Sequence, residues 1–142
     1  MTQEEKQLLF TDLSARLRYG VKAEARGWDE EKEEDVLVPV TVYSVNTDGH
    51  VYFADNDYDI TYCSIDACRL YLRPMSSMTA EEENFYYSCL DEMDGYKQTF
   101  PVIYQDKALS LLDWLNSHHF DYRGLIEKGL AIDVTEENNP YK

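Results

Sequence analysis

Val36–Val45, VLVPVTVYSV, is the strongest strand signal in the chain, a run of β-branched residues that fits a pleated, half-buried surface. Asn46-Thr47-Asp48-Gly49 follows as a turn, and Val51-Tyr52-Phe53 resumes the extended pattern. The three pieces predict an antiparallel hairpin. Pro39 lies inside the first strand and cannot donate to a ladder, so an edge position or a bulge is expected there.

Outward from this hairpin, strand and helix signals separate along the chain. Upstream, Val21–Arg26 alternates apolar and charged residues with the period of a half-buried strand, and Gly27–Asp35, GWDEEKEED, reads as a charged loop. Thr2–Tyr19 carries Leu9, Leu13 and Leu17 four apart, with Leu8 and Phe10 beside them. That spacing predicts an amphipathic helix, capped by Thr2 and stopped by Gly20, with Arg16 and Arg18 at its negative end. Downstream, Ile60–Ile65 and Leu70–Pro74 read as extended. Thr79-Ala80-Glu81-Glu82 is a capping box opening a second helix, and Asp106 is the expected cap of a third over Lys107–Ser117. Gly95–Tyr104 reads as a strand or an ordered connection, Phe120–Glu127 as a turn or short helix, and Leu130–Val134 as an edge strand. The tail, Thr135–Lys142, has little apolar content and is expected to fray. Residues 1–142 thus predict one domain of class α+β, with a small antiparallel sheet or open barrel packed against about three helices.

Charge is the most uneven property of the chain. Its net charge is −15, yet Gly27–Asp94 holds seventeen acidic residues against three basic ones, while the flanks are nearly balanced. This middle repels anions, which argues against direct binding to nucleic acid or to anionic membranes and favours a protein partner with a basic surface. Tyrosine is abundant, with twelve residues, and suits an interaction surface because its apolar ring carries a polar tip. Trp28, Asp29, Glu30, Glu31, Tyr52, Asp55, Asp57, Tyr58 and Asp59 are the expected partner-binding residues, with Tyr62 as a further aromatic anchor.

No pattern for a reaction stands out. Asp55-Asn56-Asp57-Tyr58-Asp59, with Asp66 beyond, spaces carboxylates like a calcium loop. Ile60 stands where that loop turns on glycine, and Asp66 where it uses glutamate. Asp55, Asp57 and Asp59 remain weak metal candidates beside the plainer reading of a solvated turn. His118 and His119 suit a helix end better than one ion, since neighbouring helical residues point about 100° apart. Cys63, Cys68 and Cys89 are odd in number and lack zinc-ligand spacing, so free thiols are expected. Phosphate-binding, dinucleotide-binding and serine-nucleophile motifs are absent. These readings predict a non-enzymatic protein without a cofactor.

No stretch is long and apolar enough to span a bilayer, and Met1–Phe10 is acidic where a secretory signal would be basic, so a cytoplasmic address is expected. Tyr71–Thr79 (YLRPMSSMT) and Asp113–Ile132 (DWLNSHHFDYRGLIEKGLAI) resemble blocks of a group of small uncharacterised proteins of gut Bacteroides-type bacteria and their prophages. The layout is similar too: an N-terminal helix ending near Tyr-Gly-Val, a strand-rich middle, then the two blocks. The resemblance implies an intracellular accessory protein associated with a mobile element, and brings no activity, cofactor or catalytic residue. Combined with the acidity it leaves three readings: a binder of a basic protein partner, a nucleic-acid-mimicking inhibitor of a nuclease or of a defence or regulatory protein, and a small metal-dependent enzyme.

Overall fold

The computed structural model describes residues 1–142 and has the expected α+β architecture. Helix α1 (Gln3–Arg16) precedes strands β1 (Lys22–Asp29), β2 (Glu34–Val45), β3 (His50–Phe53), β4 (Tyr62–Ser64) and β5 (Arg69–Pro74). Helices α2 (Ala80–Tyr96) and α3 (Pro101–Ser117) follow, and β6 (Phe120–Asp121) and β7 (Ala131–Asp133) close the chain. Helix α2 begins at the predicted capping box of Thr79 with Glu82, and α1 begins at the predicted cap Thr2, which forms a capping box with Glu5 as well.

Strands β1 to β5 form an antiparallel meander in the order β4-β3-β2-β1-β5. In a flat sheet four steps of about 4.8 Å would hold β4 roughly 19 Å from β5. The link between them is only Ile65–Cys68, a 3-10 turn and one further residue. With the turn rising only about 2.0 Å per residue, the link falls well short of that span, so the sheet curls into an open barrel. Its inner side holds the main core: Val21, Ala23 and Ala25, Val40 and Val42, Val51 and Phe53, and Leu70 and Leu72, with Leu9 and Leu13 of α1 inserted. Burial of such a leucine contributes about 1.5–3 kcal/mol. Pro39 pairs with Glu24 of β1, and β3 meets β2 only over Val42–Val45, so the proline occupies a stretch with a partner on one side. A register shift sits between Val42 and Ser44.

The sheet departs from the all-antiparallel expectation at β5, which pairs in parallel with β6 and β7. The chain returns to β5 only after the helical pair α2–α3, the kind of crossover a parallel pairing requires. Three segments differ from their predicted form. Gly95–Tyr104 is neither a strand nor a connection throughout, because α3 starts at Pro101; proline at the first helical position has a suitable φ and loses no hydrogen bond. Gly27–Asp35 is mostly strand, leaving a turn at Glu30–Glu33. The tail is docked: the Tyr141 hydroxyl donates to Tyr71 O at 2.7 Å and accepts from Lys22 N–H at 3.0 Å, and its ring stacks on His119 at 3.6 Å. A second, smaller core of Met93, Leu111, Leu115 and Phe120 joins α2 and α3 to the end of the sheet.

Candidate functional site

The expected partner-binding residues occupy the outer face of the barrel and two loops beside it. Trp28 projects from β1 opposite Asp35 and is 54% exposed. Asp29 holds the tip of the β1–β2 hairpin, its Oδ1 accepting from the N–H groups of Glu31 (3.0 Å) and Lys32 (3.2 Å). Glu30 and Glu31 stand exposed at that tip. Tyr52 pairs across strands with Tyr62, their rings 5.9 Å apart, and His50 meets the Tyr62 ring at 5.6 Å.

The second loop, Ala54–Thr61, is organised by Asn56. Its Nδ2 donates to the carbonyls of Ala54 and Ile60, while its Oδ1 accepts from the N–H groups of Tyr58 and Ile60. One carboxamide thus fills the centre, and Asp55, Asp57 and Asp59 are left exposed at the rim. These carboxylates do not gather into a group that could hold a metal ion.

The second loop touches β1 at Gly27, two residues before Asp29. A Cβ there would lie 3.0 Å from Cβ and Cγ of Tyr58, so the tyrosine packs on the glycine backbone. This contact sets Asp57 and Asp59 beside the base of the Asp29–Asp35 hairpin. Next to it lies an open cleft of about 580 Å³ lined by Tyr43, Tyr52, Phe53, Asp55, Asp59 and Thr61. Tyr43, at 73% exposed, is a further exposed aromatic on this face, outside the set expected from the sequence. Its signal lay in the alternation of β2, which puts Leu37, Pro39, Thr41 and Tyr43 on the face opposite the buried valines.

The acids of α2 form a separate group on a helix that packs with α3. The acidic middle is therefore divided between elements. Arg26, 4.0 Å from Asp35, adds a cation to the hairpin group.

The two blocks Tyr71–Thr79 and Asp113–Ile132 converge on another region. Arg73 donates from both terminal nitrogens to Glu82 (2.9 and 2.7 Å), and its guanidinium lies 4.1 Å from the Phe120 ring centre. Its N–H donates to His119 O at 2.7 Å. Below them Arg16, fully buried, grips Asp12 through Nε (2.8 Å) and Nη2 (3.1 Å) and donates to Phe120 O at 2.6 Å. Arg123 approaches the same carboxylate at 3.3 Å. Arg16 thus belongs to the interior rather than to a solvated helix end. The i, i+4 spacing of Asp12 and Arg16 within the leucine stripe was the available signal.

A polar cleft of about 700 Å³ borders this network, lined among others by Arg73, Ser117, His118 and His119. Its neighbouring Ser117 and His118 are not arranged as a nucleophile and base. Nδ1 of His118 faces Trp114 O at 2.9 Å and must donate there, so it cannot take the Ser117 proton. Ser117 itself donates to Trp114 O at 2.8 Å. His119 sits at φ 62, and burial with the positive charge of Arg16 lowers its pKa to about 4.

Compared with protein-family models, curated proteins and solved structures, the chain matches none. No helix is long and apolar enough to cross a membrane.

Proposed function

We infer that this protein is a non-enzymatic accessory protein of the cytoplasm that binds a partner with a basic surface. The observation that carries the reading is the packing of Tyr58 on Gly27, which sets the Asp55–Asp59 loop against the base of the acidic β1–β2 hairpin, next to the tyrosine-lined cleft. Carboxylates at the rim steer a cationic partner, and exposed Trp28, Tyr43, Tyr52 and Tyr62 supply contact area. Nucleic-acid mimicry has less support, because the acids divide between this surface and α2 and because Arg26 and Lys32 interrupt the nearer group. A metal-dependent reaction would need three or more His, Cys, Asp or Glu side chains placed to hold one ion, and no such group is present.

An arginine-rich peptide titrated into the protein, followed by calorimetry at low and moderate salt, tests the reading. Binding should weaken with salt and fall at least about tenfold in Asp55→Asn/Asp59→Asn, a loss of about 1.4 kcal/mol. The control variant Glu81→Gln/Glu83→Gln/Asp91→Asn on α2 should retain most of the affinity. Equal losses in both variants, or no binding at low salt, would sink the proposal.

A further inference from the structure

Two of the three thiols lie together. Cys63 belongs to β4, opposite Val51, and Cys68 closes the 3-10 turn Ile65–Ala67, its N–H donating to Ile65 O at 3.2 Å. Ser64 and this turn separate the two residues, and both side chains pack into the main core. Their surroundings differ. Cys68 is fully buried within the main core. Cys63 is half-buried at the rim of the core and lines a cavity of about 470 Å³ together with Leu37, Phe53, Ile60 and Tyr62 and with the charged residues Glu24 and Arg26. Cys89 stands apart on α2, against the smaller core.

The pair is also chemically unequal. The neighbouring Cys68 thiol lowers the pKa of Cys63, favouring the thiolate. The reciprocal contact and burial push Cys68 well up. A thiolate-prone sulfur that reagents can reach therefore faces a sealed thiol, the combination found where a sensing cysteine stands beside a resolving one.

We propose that Cys63 and Cys68 form a hydroperoxide-responsive pair that closes to an intramolecular disulfide. The Cys63 thiolate attacks a peroxide oxygen, forming an S–O bond and breaking the O–O bond, and leaves as a sulfenic acid with release of hydroxide or alkoxide. The Cys68 sulfur then attacks the Cys63 sulfur, the S–O bond breaks, and the departing hydroxyl takes the Cys68 proton as water. Two thiols lose two electrons in all, and the peroxide gains them. The new bond ties β4, the strand that carries Tyr62, to the residue just before β5.

The test treats the reduced full-length chain with stoichiometric hydrogen peroxide, followed by thiol titration, intact mass and fragment mapping. The expected result is a fall from three free thiols to one, a loss of two hydrogens from the monomer, and a cross-link between Cys63 and Cys68, reversed by dithiothreitol. Cys89→Ser should form the same link. Cys68→Ser should instead leave a sulfenic acid at Cys63 that a dimedone probe captures. Oxidation of Cys63 to sulfinic acid with Cys68 still free, first reaction at Cys89, linkage between chains, or persistence of three free thiols would each overturn the proposal.

Discussion

His119 is held in an unusual state by its neighbours. Its backbone occupies the left-handed region, its ring lies under Tyr141, and Arg16, His118 and Arg73 disfavour a further positive charge. Burial is the leading cause of its depressed pKa, about 4 against an ordinary 6.5. Between these two values the unfolded chain binds a proton that the folded chain refuses, so stability falls as pH drops through that window. Glu82 acts over a lower range. Its hydrogen bonds from Arg73 and the Thr79 N–H hold its pKa near about 2 against 4.5, so its contribution is present above 4.5 and lost toward pH 2. Asp12 opposes these slopes, since burial raises its carboxyl despite Arg16, and the folded state keeps that proton longer. Urea midpoints measured from pH 7 to 4.5 should therefore drop in the wild type and drop less in His119→Asn, where asparagine tolerates the left-handed backbone without titrating. Equal slopes for the two proteins above pH 4.5 would mean that His119 titrates normally when folded.

Elements whose pattern and local chemistry agreed were legible in the sequence, while those fixed by distant contacts were not. VLVPVTVYSV could bury its valines in only one register, and Thr79 with Glu82 could cap only one helix start, so β2 and α2 appeared where expected. Val102-Ile103-Tyr104 misled because its β-branched residues favour strands, whereas Pro101 nucleates a helix that leaves Val102 70% exposed. The acidic loops were readable as candidates, but the contact of the second loop with β1 depends on Tyr58 packing on a glycine 31 positions earlier in the chain. The tail was misread for the same reason: its anchor joins β1, β5 and the turn after α3 through one hydroxyl and one ring. Tyr141→Phe removes both hydroxyl contacts and keeps the stack, so it should cost about 1–3 kcal/mol by leaving Lys22 N–H and Tyr71 O without this partner. Tyr141→Ala should cost more, since the ring is lost as well. Urea denaturation reads both, and a Tyr141→Ala protein within about 0.5 kcal/mol of wild type would show that the tail adds no stability through this residue.

Across the molecule, charge affects folding and binding in opposite senses. A chain with net charge −15 repels itself when compact, and its exposed ion pairs, such as Lys6–Asp66 and Arg26–Asp35, are too few and too solvated to offset that repulsion. The stronger pairs, Arg16–Asp12 and Arg73–Glu82, are shielded from solvent and respond little to salt. Screening should therefore relieve more repulsion than it removes attraction. Raising sodium chloride from 20 to 300 mM should lift the melting temperature by about 2–4 °C, which for a chain of this size corresponds to roughly 1 kcal/mol. A cationic partner on the acidic face should replace part of that effect. At 20 mM salt an arginine-rich peptide should raise the melting temperature, and at 300 mM the added increment should shrink as the attraction is screened. The crossed pattern separates two roles for the acidity. If salt stabilises the free protein but the peptide increment is the same at both concentrations, the negative charge keeps the chain soluble and the contact is apolar. If the free protein melts at the same temperature throughout, the acids lie too far apart to repel, and a continuous acidic docking face is lost with that repulsion.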